Sequence, residues 1–469
     1  MTSTKSPSTA GAGPSIDHEA QQPPMPSASD TPAEGPKVLP IDTSNPGAGI
    51  RYERFLDCVH CGLCTASCPT YVETGNENDS PRGRIYLMRA VTDGRLPLTA
   101  EVRRHLDLCL DCRACETACP SGVQYGKLIE PFRVAMEEGT PGGGKTSDWF
   151  HRWILFGVFP YPQRMRALLW PARLSQRLGL LRLAEALRIT RLLPRRLQQL
   201  VAMLPPPAKK QPPLPEVLPA VGQRRARVAL FTGCVGDVMF RHTNWATARV
   251  LQENGCEVVV PRGQVCCGAI HFHGGSSEPA RELADANVAA FNAADYDAVI
   301  VNVAGCGSML KDYGHHWEDD QQHAREQFAA KVRDINEFLD ELGFIPPRGE
   351  MPLKVTYHDA CHLVHAQKVR EAPRKLLRQI PGLELVDLPE SELCCGAAGT
   401  YNLTEPEMSG RLSRRKMANI LSTGATVVAT ANAGCLLQIM REARQQGQPL
   451  EIVHPMELLD RSYQKARAQ

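Results

Sequence analysis

The chain has 469 residues, enough for several domains that each bury a core of their own. Its 53 basic and 51 acidic side chains leave a formal net charge of +2, so no global field favours nucleic acid as a partner. It opens with no apolar run behind a basic stretch and holds no apolar window of ~18 residues, which predicts neither a secretory signal nor a membrane span.

Residues 1–48 are rich in Pro, Ser, Ala and Gly and almost free of large apolar side chains. Such a tail cannot offset its ordering entropy by burial and is expected to be disordered. Residues 49–140 follow as a compact helical unit that carries one motif twice. "CVHCGLCTASCP" supplies Cys58, Cys61, Cys64 and Cys68 before a proline, and "CLDCRACETACP" supplies Cys109, Cys112, Cys115 and Cys119 in the same spacing. Two intervening residues let consecutive thiolates curl around one 4Fe–4S cube, while the fourth cysteine of each run reaches across to the other cube. Cluster 1 is therefore expected on Cys58, Cys61, Cys64 and Cys119, and cluster 2 on Cys109, Cys112, Cys115 and Cys68. Paired C-x2-C runs can also bind zinc, but two matching runs of four favour the cubes. Between the runs, "SPRGRIYLMR" reads as a turn leading into a helix. Its Arg82, Arg84 and Arg89 either set positive charge beside the clusters or line a solvated helix start.

Residues 141–220 form a basic helical segment and a linker. From Arg152 to Leu200 there are ten arginines and one acid, Glu185, interleaved with Leu, Trp and Phe. This pattern suits packing on a neighbouring domain or subunit, with docking on a membrane surface as the alternative. "MLPPPAKKQPPLPEVLPA" (203–220) has seven prolines in eighteen residues and reads as an extended spacer.

Beyond the linker, short β-branched runs alternate with helical stretches, the pattern of βα units on a parallel sheet. "RVALFTGC", "EVVVP" and "AVIVNVAGC" read as strands of a first half (221–350). "LKVTYHDAC", "LELVDLP" and "TVVATANAGC" repeat them in a second (351–469). Cys234 matches Cys361, Cys266-Cys267-Gly268 matches Cys394-Cys395-Gly396, and Cys306 matches Cys435, at offsets of 127, 128 and 129 residues. The expected architecture is therefore a two-cluster ferredoxin-type domain followed by a duplicated α/β domain. An open sheet gathers strand-end residues into one crevice, so Cys234, Cys266, Cys267 and Cys306, and likewise Cys361, Cys394, Cys395 and Cys435, are candidate metal ligands; buried structural thiols are the alternative. Cys256 has no counterpart and reads as a core thiol. His271 and His273, and His358, His362 and His365, do not recur in register and are expected as polar surroundings rather than ligands. No catalytic residue stands out. No G-x-G-x-x-G or P-loop occurs, "TPGGGKTSD" (140–148) being only loosely similar, so no site for FAD, NAD or ATP is expected. Seventeen cysteines without an export signal suggest the cytoplasm.

Together, "CVHCGLCTASCPTY", "DSPRGRIYLMR", "HLDLCLDCRACETACPSGVQYG", "GCGSMLKDYG", "LVHAQK" and "LCCGAAGTYNLTEPEMS" resemble the iron–sulfur subunit of bacterial glycolate oxidase, over about residues 50–460. The wider group takes in the iron–sulfur subunits of lactate-utilisation systems and anaerobic glycerol-3-phosphate dehydrogenase, and a heterodisulfide reductase subunit. The resemblance implies two 4Fe–4S clusters, with further iron–sulfur clusters possible at the Cys-Cys-Gly repeats. It also implies FAD-containing partner subunits that oxidise glycolate or D-lactate, and electrons passed on to membrane quinone by a cytoplasmic protein peripheral to the membrane. The alternative is a relative with redox chemistry at the Cys-Cys-Gly crevice itself. Heterodisulfide reductase-like members carry one more cysteine three residues after the last; here Met309 and Gln438 stand in those places.

Overall fold

In the computed structural model, residues 45–139, 148–187, 189–207, 211–292 and 294–468 are described. The expected disordered tail lies outside them except for its last four residues, as does all of "TPGGGKTSD" but Asp148. The ferredoxin-type region is helical, with no strand among its described residues. Its helices start where the sequence marks them. Ser80 Oγ accepts from Gly83 N at 3.0 Å and Pro81 opens the helix Pro81–Thr92; Thr99 caps Ala100–Asp107 in the same way. Phe55, Ile85, Met88, Leu106, Leu128, Ile129 and Phe132 fill the core between these helices and Gly126–Glu138.

The remainder holds two sheets. Strands β1 (Val217–Leu218), β2 (Ala226–Phe231), β3 (Cys256–Val259), β4 (Ala298–Val301) and β5 (Val332–Asp334) form the first, in the order β1-β3-β2-β4-β5. Strands β6 (Lys354–Tyr357), β7 (Glu384–Val386), β8 (Val427–Ala429) and β9 (Glu451–Val453) form the second, in the order β7-β6-β8-β9. All pairs are parallel except β1 with β3. With β1 set aside, the two orders are the same, so the duplication read from the cysteines extends to topology. β1 comes from the proline-rich stretch, whose Leu214 and Leu218 are buried in the first half.

The halves share a core. Helix Arg241–Glu253 lies along the C-terminal helix Pro455–Ala468; Arg249 meets Asp460 through two bonds of 2.8 and 2.7 Å, and Thr243 Oγ1 donates to Glu457 at 2.6 Å. His454 Nε2 donates to the Asn302 carbonyl at 2.9 Å and its Nδ1 accepts from Met456 N, which fixes a neutral ring across the seam.

Sequence periodicity misplaced one boundary in each βα unit. Cys234, Cys306 and Cys435 do not close strands; they lie in the first turn of the helices Cys234–Met239, Ala304–His316 and Ala433–Gln445, and Cys361 immediately precedes the turn His362–Ala366. The strands are short because their apolar run continues into a turn before each helix, and apolar runs do not reveal where the backbone changes.

The basic segment is helical over Pro162–Arg177, Leu180–Ala186 and Arg195–Ala202. One face packs on the first half: Met165 is buried, Arg166 pairs with Asp237, Arg173 donates to the Val238 carbonyl at 2.6 Å, and Phe156 stacks on His271 at 4.6 Å. Trp153, Trp170 and Leu192 remain exposed.

Candidate metal centre

The two motif loops have the same backbone. His60 and Asp111 take φ of 55° and 52°, and one residue past the next cysteine Gly62 and Arg113 take 85° and 57°. Left-handed backbone at non-glycine residues costs about 1 kcal/mol or more each, and its repetition at matched positions shows loops shaped to close around something. The thiols fall into two groups. Cys58 lies near Cys61, Cys64 and Cys119, and Cys64 near Cys58 and Cys68; burial raises the Cys58 thiol and pushes Cys64 up to about 11, and neighbouring thiols add to both. Burial likewise raises Cys115 well above the ordinary thiol range, with Cys112, Cys109 and Cys68 adding to the effect. Cys68 lies near thiols of both runs, acting on Cys64 as well as on Cys112 and Cys115. Buried thiols that raise one another are poor as bare thiolates, and a polynuclear cation offsets that by taking them as ligands; the donor sets fit 4Fe–4S clusters.

Burial separates the groups. Cys61 is exposed between the exposed Val59 and Leu63, whereas Cys109, Cys112 and Cys115 are all buried. The three arginines also divide. Arg84 is fully buried, with Nη1 3.8 Å from Cys68 Sγ, Nη2 donating to Thr70 Oγ1 at 2.9 Å and Nε to the His105 carbonyl at 2.8 Å. Arg82 donates to the His60 carbonyl at 3.0 Å and pairs with Glu77 at 2.6 Å, at the edge of the first loop. Arg89 turns away to Tyr52 and Asp93.

The Cys-Cys-Gly halves each bring their four thiols together. Cys234 Sγ lies 3.5 Å from Cys266 Sγ, and Cys267 makes a thiol contact with Cys306. In the second half Cys361 contacts Cys394, and Cys395 contacts Cys435. Gly268 and Gly396 take φ of 84° and 86°, conformations that suit glycine and set the paired thiols on a tight corner. Cys256 is buried in the core of β3, apart from these groups. Gln438, in the place where heterodisulfide reductase-like members carry one more cysteine, accepts from Asn402 at 3.2 Å and donates to Ser409 at 3.0 Å.

The second half abuts the inner ferredoxin loop, a feature that spacing could not reveal. Cys112, Leu108, Leu110, Cys394, Tyr401 and Met408 form one buried cluster with Cys361 against it. Cys361 adds to the rise of the Cys112 thiol, after burial itself. Tyr401 donates to the Leu108 carbonyl at 2.9 Å, His362 Nε2 to the Asp111 carbonyl at 2.9 Å, and His365 Nδ1 meets Thr117 Oγ1 at 3.0 Å. The first half grips the same loop through Arg113, which meets Asp312 at 3.0 Å and Glu130 at 2.6 Å, and through His273, 3.3 Å from Asp111. Burial pushes the Asp111 carboxyl up, but His273, Arg113 and Arg133 outweigh it and hold it below the usual carboxylate range. His271, His273, His362 and His365 lie at the contacts of the basic segment and the ferredoxin loops with the two halves. His358 differs: its ring is fully buried, Nδ1 is 3.0 Å from the Ser391 carbonyl, and Nε2 has no hydrogen-bond partner. Burial lowers its pKa to about 3, with Lys416 contributing.

All eight Cys-Cys-Gly thiols line one cavity of about 490 Å³, walled by Phe159, Leu168, Leu197 and Leu200 of the basic segment. Its size and apolar lining are those of a site for a small organic molecule.

A helical domain with two cysteine loops shaped for cubes, joined to a duplicated cysteine-rich α/β domain, defines an iron–sulfur protein of the oxidoreductase class. Residues 54–123 match the family described as 4Fe-4S dicluster domain, and 228–311 and 355–440 match the one described as Cysteine-rich domain. Residues 147–204 match the linker region of the glycolate oxidase iron-sulfur subunit. The chain is 42% identical over 406 residues to the probable glycolate oxidase iron-sulfur subunit of Bacillus subtilis, covering 84% of this chain and 90% of that one. It is 34% identical over 415 residues to the glycolate oxidase iron-sulfur subunit of Escherichia coli, covering 87% and 94%. A lactate utilization protein A from Exiguobacterium is 33% identical over 242 residues, 51% of this chain and 99% of that one. The chain belongs to the family of glycolate oxidase iron–sulfur subunits. Among the described residues no helix is long and apolar enough to cross a membrane.

Proposed function

We propose that this chain is the electron-carrying subunit of a 2-hydroxy-acid oxidase, taking electrons from FAD-containing partner subunits that oxidise glycolate or D-lactate and delivering them toward membrane quinone. In this reading Cys58, Cys61, Cys64 and Cys119 hold cluster 1, and Cys109, Cys112, Cys115 and Cys68 hold cluster 2. The two Cys-Cys-Gly sets hold further metal. When bound, the clusters supply one-electron carriage, which a two-electron oxidation at flavin requires of its acceptor.

The reading is carried by the contact between Cys112 and the Cys361–Cys394 pair in one buried apolar cluster. It makes the two cysteine systems continuous inside the protein, with water excluded between them. The gradient of burial supplies a direction. The exposed Val59 and Leu63 around Cys61 offer a face on which a partner can dock, and the buried inner loop leads to the second half. The apolar wall of the cavity that the Cys-Cys-Gly thiols line, formed by Phe159, Leu168, Leu197 and Leu200, suits a quinone ring, and the exposed Trp153, Trp170 and Leu192 with the neighbouring arginines suit a peripheral position on an anionic membrane.

The test is reconstitution with the partner flavoproteins and reduction of a dye by glycolate. Cys112→Ser should abolish transfer while the flavin is still reduced; an unchanged rate refutes the relay. Iron counts on the anaerobic chain should exceed the roughly eight that two cubes account for.

A further inference from the structure

The two Cys-Cys-Gly halves are not chemically equivalent, and the difference lies behind the thiols. β2 and β6 occupy the same place in their sheets. Leu230 pairs with Ile300 in the first, and Tyr357 pairs with Ala429, its register equivalent, in the second. The next residues are Phe231 and His358. In the first half the place behind the thiols is taken by an aromatic ring packed on Phe291. In the second it is taken by an imidazole.

The orientation of that imidazole is determined. A carbonyl oxygen only accepts hydrogen bonds, so the 3.0 Å contact of His358 Nδ1 with Ser391 requires Nδ1 to carry the proton. In the neutral ring Nε2 then bears a lone pair. That atom is buried without a partner, and a ring nitrogen of His358 lies with Cys395 Sγ and Cys435 Sγ in a group whose ligand atoms are all within 4.8 Å of one another. A backbone carbonyl that fixes one ring nitrogen and leaves the other free toward thiols is the arrangement that orients metal-binding histidines. A lone pair buried without a donor is unfavourable, and a metal removes that cost.

We infer that His358 Nε2 is a metal ligand of the second Cys-Cys-Gly half, completing a mixed imidazole–thiolate site with Cys395 and Cys435, whereas the first half binds through thiolates alone. The inference rests on the reading that the second half carries metal. Imidazole brings no negative charge, so a centre it ligates is easier to reduce than one held by thiolates only. The half whose thiols pack against the inner ferredoxin loop is then the higher-potential of the two, suited to draw electrons from it. Lys416 acts in the same sense. The contact of Gly396 with Ser409 and of Gly268 with Ala280 sets the register of the following helices, and it places Lys416 where the first half has Asn287. The Lys416 ammonium is buried near Cys395 and Cys394 and adds positive charge to the second half only.

The test uses the full chain purified anaerobically with its native metal and labelled with 15N-histidine. Pulsed EPR should show one histidine nitrogen coupled to a paramagnetic centre distinct from the two cubes. The coupling should vanish in His358→Gln while the cube signals persist. If the second-half metal is EPR-silent, its release to a chelator is the readout, and His358→Gln should lose it at least tenfold faster. His358→Cys, which restores a ligand at the same place, should retain the metal without the nitrogen coupling and guards against a merely packing effect. A second-half metal that shows no histidine nitrogen, or that leaves His358→Gln no faster than wild type when EPR-silent, overturns the ligand while leaving the relay standing. About eight irons and no further metal overturns both the ligand and the reading beneath it.

Discussion

Replacing Arg84 by glutamine removes a fully buried positive charge whose Nη1 lies 3.8 Å from Cys68 Sγ. Two unit charges about 4 Å apart interact by roughly 4 kcal/mol at an effective dielectric of 20, and a one-electron couple moves about 59 mV per tenfold change, so the ceiling is about 170 mV. The electron that reduces a cube is spread over its irons and sulfurs, and Asp79 3.9 Å from Arg84 already offsets part of the charge. We expect the potential of one cluster to fall by roughly 50–100 mV on that basis. The fall is negative because a cation favours the reduced, more anionic state. The other cluster should not move, since Cys58, Cys61, Cys64 and Cys119 form a separate group. The assay is an EPR-monitored redox titration of the anaerobic chain. Arg84→Lys, which keeps the charge, separates electrostatics from packing and should shift the potential far less. Unchanged potentials in Arg84→Gln, or equal shifts in both clusters, would refute the reasoning. Arg82→Gln should move its neighbour little, because Arg82 is partly exposed, screened and paired with Glu77.

The glycine corners should differ in tolerance. A Cβ at Gly396 would stand 2.7 Å from the Ser409 carbonyl oxygen, and one at Gly268 would stand 3.1 Å from that of Ala280, both at positive φ. Gly396→Ala should therefore cost about 2 kcal/mol or more and Gly268→Ala less, read from urea midpoints; equal losses would sink the comparison. His454 should make the seam acid-sensitive. Its burial lowers its pKa from 6.5 to about 4, so the unfolded chain binds the extra proton first, and stability present above pH 6.5 is lost as pH falls toward 4. The full loss is up to about 3 kcal/mol, and His454→Gln should flatten the wild-type slope of urea midpoint against pH in that window. The basic segment should bind vesicles containing anionic lipid in a salt-sensitive manner. Trp153→Ser combined with Trp170→Ser should weaken that binding without changing cluster content; binding indifferent to both salt and these substitutions would exclude the membrane face.

Thiol spacing is a local property, and local properties are written in sequence. A C-x2-C-x2-C loop has one practical way to curl, so the dicluster character of the runs Cys58–Cys68 and Cys109–Cys119 was legible from spacing. The duplication was legible too, because equal offsets between cysteines preserve register, and the two sheets repeat it strand for strand. Strand ends were not, because the apolar run of each βα unit passes through the turn into the helix that carries Cys234, Cys306 or Cys435. Arg82, Arg84 and Arg89 looked alike in the sequence. Helical phase sent one into the core beside Cys68, one to the rim and one away, and burial alone decides which charge a cluster feels.

By itself the sequence determined that two matched four-cysteine runs make a dicluster domain and that one further domain was built twice. Only the tertiary structure decided that the inner ferredoxin loop rests on the second half and not equally on both, that eight thiols share one cavity beneath the basic helices, and that His358 stands behind Cys395 and Cys435 where Phe231 stands in the first half. Those facts depend on side chains far apart in the chain meeting in a common core, and no local spacing records which distant surfaces pack.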